Sequence, residues 1–175
     1  MSRDNGPVWR PLDISDIPHL NRIADLVHVE LPERHDIPEE KFRLFPQGCF
    51  GLHSEGGLIG YGVSHPWMLY SIPPLDRLLG ALPAQADCLY IHDVAILPEF
   101  RGLRLADRLV EQLTSVAESE KLRAMALVSV YGADVFWSRF GFRQASTPDI
   151  TERLRSYGPT ARYMIRELAG QTNVA

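Results

Sequence analysis

Between Val94 and Ala106 an apolar strand passes through the turn Pro98-Glu99-Phe100-Arg101-Gly102-Leu103-Arg104 straight into an amphipathic helix. The first amide hydrogens of a helix have no intrahelical partner, and the aligned peptide dipoles make that end attractive to anions. Arg101 and Arg104 bring positive charge to the turn, and Gly102 permits close approach, so the segment has the parts of a phosphate cradle. Just upstream, Tyr90, His92 and Asp93 place titratable groups on the same strand. Histidine titrates near neutrality and accepts a proton directly or through water. Alternation puts Tyr90, His92, Val94 and Ile96 on one face, with Leu89, Ile91, Asp93 and Ala95 on the other, unless a bulge shifts the register.

The elements that must hold these residues can be read along the chain. Val8 to Arg10 reads as a first strand ended by Pro11, and Ser15 as the cap of a helix carrying Ile17, Leu20, Ile23, Ala24 and Val27 on one face. Pro32 stops that pattern, and a second short helix is expected within residues 36–45. Residues 48–53 and 57–64 read as a hairpin closed by Ser54-Glu55-Gly56-Gly57. Residues 66–86 carry Trp67, Met68, Leu69, Tyr70 and Leu78 between prolines, a connection long enough to serve as a substrate-side lid. Cys88 to Ile96 is the central strand. It is followed by a helix over 103–119 with core positions Ala106, Leu109, Val110, Leu113, Val116 and Ala117. Arg123 to Val130 is nearly continuously apolar, as a strand buried on both faces requires. A short helix over 134–140 ended at Gly141, then strands from Phe142 and over 162–168, complete a mixed α/β sandwich with a right-handed parallel strand-helix-strand crossover at its centre.

Size and charge narrow the function classes. A length of 175 residues with 45% hydrophobic content fits one domain, 1–175. A net charge of -4 disfavours a nucleic-acid partner, so phosphate recognition is expected to be local. Cys49 and Cys88 form neither a disulfide framework nor a metal knuckle, and the six histidines have no ligand spacing, so no metal is expected. Two lone cysteines and the lack of an apolar signal core or membrane-length run point to a cytoplasmic protein with no membrane partner. Ser129 stands outside any nucleophile elbow, which disfavours serine hydrolase chemistry.

The run Ala95-Ile96-Leu97-Pro98-Glu99-Phe100-Arg101-Gly102-Leu103-Arg104-Leu105-Ala106 resembles the acetyl-coenzyme A motif of the GNAT N-acetyltransferases. Ala133 with Phe136-Trp137-Ser138-Arg139-Phe140-Gly141-Phe142 is similar to the family's short helix and following strand start, and Tyr163 to Leu168 to its last strand. The likeness covers nearly the whole chain in order. It implies a mixed, mostly antiparallel sheet of six to seven strands flanked by about four helices. One departure is plain: Arg104 occupies a position where the family pattern has glycine, while Arg101 and Ala106 match.

By this resemblance, acetyl-coenzyme A is the co-substrate. Val94, Ala95 and Ile96 would meet its pantetheine and acetyl group, and Arg101, Gly102, Leu103, Arg104, Leu105, Ala106 and Asp107 its pyrophosphate, mostly through backbone amides. Attack of a neutral primary amine on the thioester would then transfer the acetyl group within a ternary complex. Arylalkylamine members carry histidines at the two positions held here by Tyr90 and His92, making His92 the first candidate base. Asp93 is the second, as base or as the group orienting His92. Trp137 stands where the family often has tyrosine, and an indole is too weak an acid to protonate a thiolate, so Tyr131 is the alternative acid beside water itself. The acceptor is expected to be a small-molecule amine, ahead of a peptide or lysine. Glu30, Glu33, Asp36 and Asp76 are acidic residues of its surroundings, each read as solvated. A non-catalytic acyl-coenzyme A sensor is the rival class, and a homodimer through the last strands is compatible with either.

Overall fold

The computed structural model describes residues 6–170. Its single sheet has seven strands: β1 (Val8–Pro11), β2 (Cys49–Ser54), β3 (Gly57–Trp67), β4 (Cys88–Ile96), β5 (Ala124–Ser129), β6 (Arg143–Gln144) and β7 (Arg162–Glu167). The spatial order is β1-β2-β3-β4-β5-β7-β6. Every neighbouring pair is antiparallel except β4 and β5, the parallel pair joined by the expected crossover helix.

Helices α1 (Ile17–Val27), α2 (Asp36–Leu44), α3 (Leu105–Ser119), α4 (Asp134–Ser138) and α5 (Pro148–Leu154) complete the fold. The start of α1 differs from expectation. Asp13, not Ser15, is the capping residue: its carboxylate accepts from the Ser15 backbone and hydroxyl and opens a 3-10 turn over Ile14–Asp16, and α1 follows. Helix α3 begins at Leu105, because Arg104 has a left-handed backbone and cannot be part of a helix. Helix α5 had no counterpart in the sequence reading; Thr147 caps it, accepting from the Ile150 amide.

Both faces of the sheet are covered. On one, Leu89, Ile91, Met125 and Leu127 pack with Leu109, Val110 and Leu113 of α3 and Trp137 of α4. On the other, Tyr61, Val63 and Ala95 meet Ile17, Leu20 and Ile23 of α1, while Tyr90, Ala126 and Tyr163 meet Ile150 of α5. A buried leucine such as Leu109 or Leu113 contributes about 1.5–3 kcal/mol relative to exposure.

Two departures from regular pairing create the site. Val63 pairs with Asp93 and Ser64 with Ile91, so His92 is the extra residue of a β-bulge. The expected alternation therefore holds through Ile91 and then inverts: Val94 and Ile96 join Leu89 and Ile91 against α3, while Asp93 and Ala95 share the side of Tyr90. Parallel pairing of β4 with β5 also ends at Ile91 and Leu127, although both strands continue. Beyond that point they part and leave a cleft between their carboxyl ends. The connection after β3 begins at Met68 instead of Pro66, since β3 runs through Trp67.

Candidate active site

The cleft is a cavity of about 570 Å³. Val94, Ala95, Ile96, Arg101, Gly102, Arg104, Leu105, Ala106 and Asp107 line it, as do His92, Asp93 and Tyr131. Leu103 does not; its side chain is 62% exposed. The segment that bore the phosphate reading and the strand that bore the titratable groups thus open into one space.

At the donor end, the turn into α3 is shaped by two positive φ angles, 80° at Gly102 and 55° at Arg104. A Cβ at Gly102 would meet nothing within 4 Å, so the glycine serves backbone conformation and leaves room beside it. No side chain caps the first turn of α3, which leaves its leading amides available to an anion. Arg101 is folded back, its Nε donating to the Ile96 carbonyl at 2.9 Å. Arg104 occupies the glycine position without blocking it: the guanidinium points along the helix and pairs with Asp107 at 2.7 Å. Arg139 of the residues after α4 lies 3.7 Å from the other Asp107 oxygen. This arrangement suits the pyrophosphate of an acyl-coenzyme A, with Arg104 and Arg139 at its edge.

At the other end stand two histidine-carboxylate pairs. His92 Nε2 lies 2.7 Å from Glu33 Oε2. Burial alone would raise the Glu33 carboxyl, but the charge and hydrogen bond of His92, helped by the Asp76 amide and by Lys41, hold it down at about 2. A carboxylate so placed is ionised at neutral pH, so it accepts from His92 Nε2–H and leaves Nδ1 as the basic nitrogen. Glu33 was read from sequence as solvated; it is instead the side chain that orients His92. Asp93 does not bond His92. One of its oxygens lies 2.7 Å from His28 Nε2, and the other accepts from the Tyr61 hydroxyl at 2.5 Å. Burial would lower the His28 pKa, but the Asp93 hydrogen bond and charge, with Glu33 behind, raise it; Arg101 opposes.

His28 closes α1, and its ring stacks on Tyr131 at 6.0 Å between centroids. Tyr131, half exposed and with a positive φ, follows β5. Beneath His92, the fully buried His65 has its pKa pushed down to about 3 by burial, with Lys41 and His92 adding to the effect. It is therefore neutral. Tyr90, also buried here, neighbours His65 at 5.6 Å. Trp137 is buried against Phe136 and Phe142, a packing residue at the cavity wall.

The connection after β3 is pinned over this end. Its Asp76 amide donates to Glu33, its Asp76 carboxylate accepts from Arg34, and the Leu79 and Gly80 amides donate to Glu40. Leu75 from this connection and Tyr157 after α5 reach the cavity wall. Sequence reasoning gave His28 no role and named Glu33 only as a solvated acid near the acceptor, because each approaches the strand from far along the chain, 65 and 59 residues away from its partner.

Comparison with known proteins gives a consistent family. The profile described as Acetyltransferase (GNAT) family matches residues 18–142. A comparison with curated protein sequences finds no match. Among solved structures, Ard1 from Thermoplasma volcanium superposes with TM-score 0.71 at 16% identity, covering 94% of this chain and 99% of that one. N-acetylglutamate synthase from Neisseria gonorrhoeae, complexed with coenzyme A and N-acetylglutamate, gives 0.69 at 19% identity over 97% of this chain and 37% of that one. Arabidopsis thaliana Naa50, in complex with a bisubstrate analogue, gives 0.64 at 11% identity over 91% and 96%. At such identities the likeness concerns the fold. Among the described residues no helix is long and apolar enough to cross a membrane.

Proposed function

The chain belongs to the GNAT acetyltransferase family, and from that premise we propose that it transfers the acetyl group of acetyl-coenzyme A to the primary amine of a small molecule within a ternary complex. The observation that carries this reading is the single cavity joining the uncapped start of α3 to a buried histidine-carboxylate pair. Acetyl-coenzyme A supplies the activated thioester. The amides of 102–107 hold its pyrophosphate, and the strand edge at Val94, Ala95 and Ile96, freed where β4 leaves β5, pairs with the peptide-like pantetheine arm. A β4 amide then faces the thioester oxygen as negative charge develops on it.

His92 is the general base. Glu33 fixes its tautomer and the orientation of its ring through the 2.7 Å hydrogen bond. Removal of a proton from the acceptor ammonium frees the lone pair; the N–C bond forms, the C–S bond breaks, and the departing thiolate takes a proton. Tyr131, at the junction of the two ends, is the candidate donor to the thiolate. Asp93 acts through His28 rather than on the acceptor.

A small acceptor is supported by the closure of the acceptor end. The pinned connection and Tyr157 bring Leu75 and an aromatic ring over it, beside Val27, Leu31 and Tyr90. These walls favour an amine on an apolar body. Thiol release from acetyl-coenzyme A with pooled arylalkylamines, polyamines, aminoglycosides, amino acids and short peptides tests the reading. Turnover with an amine pool, lost in His92→Ala, supports it; coenzyme A binding without turnover on any pool replaces it with the sensor reading.

A further inference from the structure

Behind the cleft lies a second, much smaller cavity of about 30 Å³. The two spaces share the wall formed by His28, Leu31, Glu33, His92 and Asp93, so both histidine-carboxylate pairs face both cavities. Its wall is mixed: Leu20, Ala24, Pro32 and Val63 supply apolar surface, and polar side chains converge on it between them. Asn21 of α1, 8% exposed, lines it, and its Oδ1 is buried with no hydrogen-bond partner among the described residues while its Nδ2 donates to the His35 carbonyl. A buried amide oxygen left without a partner is costly. A space of this size has room for a water, and the amide oxygen, carboxylates and imidazoles on its wall are the partners one needs. On its far side are Asp25 and His35, paired at 3.0 Å and both more than half exposed.

We infer that this small cavity is a hydrated proton exit, carrying protons from the His92–Glu33 and His28–Asp93 pairs to the Asp25–His35 pair at the surface. The inference rests on the acetyl-transfer reading, and the chemistry supplies its need. An acceptor ammonium loses two protons on becoming an amide; the thiolate takes one, and one must leave the protein in each turnover. Donor and acceptor would occupy the large cavity, whereas the small one lies outside the space they fill. The proton reaches His92 Nδ1 as the ammonium N–H breaks, the Nε2 proton passes along Glu33 to water in the small cavity, and from there to the His35 ring and bulk solvent; once products leave, the Nδ1 proton goes to water and Nε2 takes one back, which restores the starting tautomer. Each transfer breaks one N–H or O–H bond and forms another, with no change in oxidation state.

His92 is enclosed by titratable groups. Glu33, His28 and Asp93 stand beside it, neutral His65 and buried Tyr90 lie beneath it on the sheet, and Lys41 of α2 is buried behind Glu33. The positive charge of Lys41 helps to hold the Glu33 carboxyl ionised, so Glu33 passes a proton on without keeping it. Asn21 is a positioning residue for the water, acting on no substrate atom.

Replacing Asn21 by leucine, of similar shape, expels the water. At neutral pH in dilute buffer kcat is expected to fall about tenfold, the scale of a hindered proton transfer. Millimolar imidazole or higher pH is expected to restore it, with the KM for acetyl-coenzyme A unchanged. The double variant Asp25→Asn with His35→Gln touches only exposed side chains, so it tests the route without risk to the core, and the same buffer-dependent loss is expected. Transfer by both variants at the wild-type rate in dilute buffer overturns the exit alone. A crystal structure of the wild type with that cavity dry also overturns it. Coenzyme A binding with no transfer by the wild type overturns the acetyl-transfer reading and the exit together.

Discussion

The imidazole of His92, the extra residue of the β4 bulge, hydrogen-bonds through Nε2 to Glu33 at 2.7 Å, across 59 residues of sequence. The bulge supplies the reach. In a regular strand the side chain after Ile91 would be fixed by alternation alone, whereas the added residue lets both His92 and Asp93 address the acceptor side. Each then finds its own partner, and the site holds two histidine-carboxylate pairs in one cleft.

Substituting His92 by glutamine is expected to lower kcat/KM by about 100-fold or more at pH 7, the usual worth of a positioned general base. The deficit shrinks at alkaline pH, where more acceptor amine is already neutral. A pH-rate profile of the variant parallel to that of the wild type removes His92 from the mechanism.

Glu33→Gln keeps the size of the side chain and removes its charge. Its carboxyl is held at about 2 against an ordinary 4.5. A depressed value stabilises the fold fully above the ordinary value, and that contribution is lost as pH falls toward about 2. The shift corresponds to at most about 3 kcal/mol. Urea unfolding between pH 7 and pH 2.5 is expected to show a weaker acid dependence in the variant, together with a loss of kcat from the misoriented His92.

In Asp93→Asn, His28 loses the charge that raises its pKa. A raised histidine stabilises the fold fully below its unfolded value, and that contribution disappears as pH rises through the folded one. The variant should therefore show His28 titrating at lower pH by NMR, and the gap in stability between it and wild type should narrow from pH 5 to pH 8. An unmoved His28 titration contradicts the pairing.

Arg104 holds φ at 55°, a conformation that costs an L-residue about 1–2 kcal/mol. Arg104→Gly is thus expected to leave the melting temperature unchanged or higher. Arg104→Ala retains the strain and loses the guanidinium; calorimetry should give weaker coenzyme A binding with a smaller salt dependence than wild type.

Gly60 pairs with Ile96, and a Cβ on it would lie 2.8 Å from the Ala95 carbonyl oxygen. Gly60→Ala must push β4 at Ala95 and Ile96, the backbone proposed to meet the donor. Destabilisation by about 1–3 kcal/mol is expected, and coenzyme A affinity should fall with it; unchanged affinity in a folded variant separates β4 from donor binding.

The strand, turn and helix from Cys88 to Ser119 were legible in the sequence because their signals are local. Apolar runs, the Pro98 exit, Gly102 and the helical spacing of Leu109 and Leu113 all act within a few residues of where they stand. The parallel crossover followed from chain direction and handedness. Hydrogen bonds between distant side chains leave no such trace. His28 ends an ordinary amphipathic helix and Glu33 stands between two prolines in an acidic stretch, and nothing near either residue tells of burial beside β4. The bulge at His92 is likewise a product of pairing, since one residue more than β3 can match becomes visible only when the two strands are side by side. Sequence alone determined the family, the sheet and the turn that leads into an uncapped helix. The partners of His92 and Asp93 were decided by tertiary structure, because packing α1 and the segment after it against β4 is what removes water from these groups and makes each require a partner.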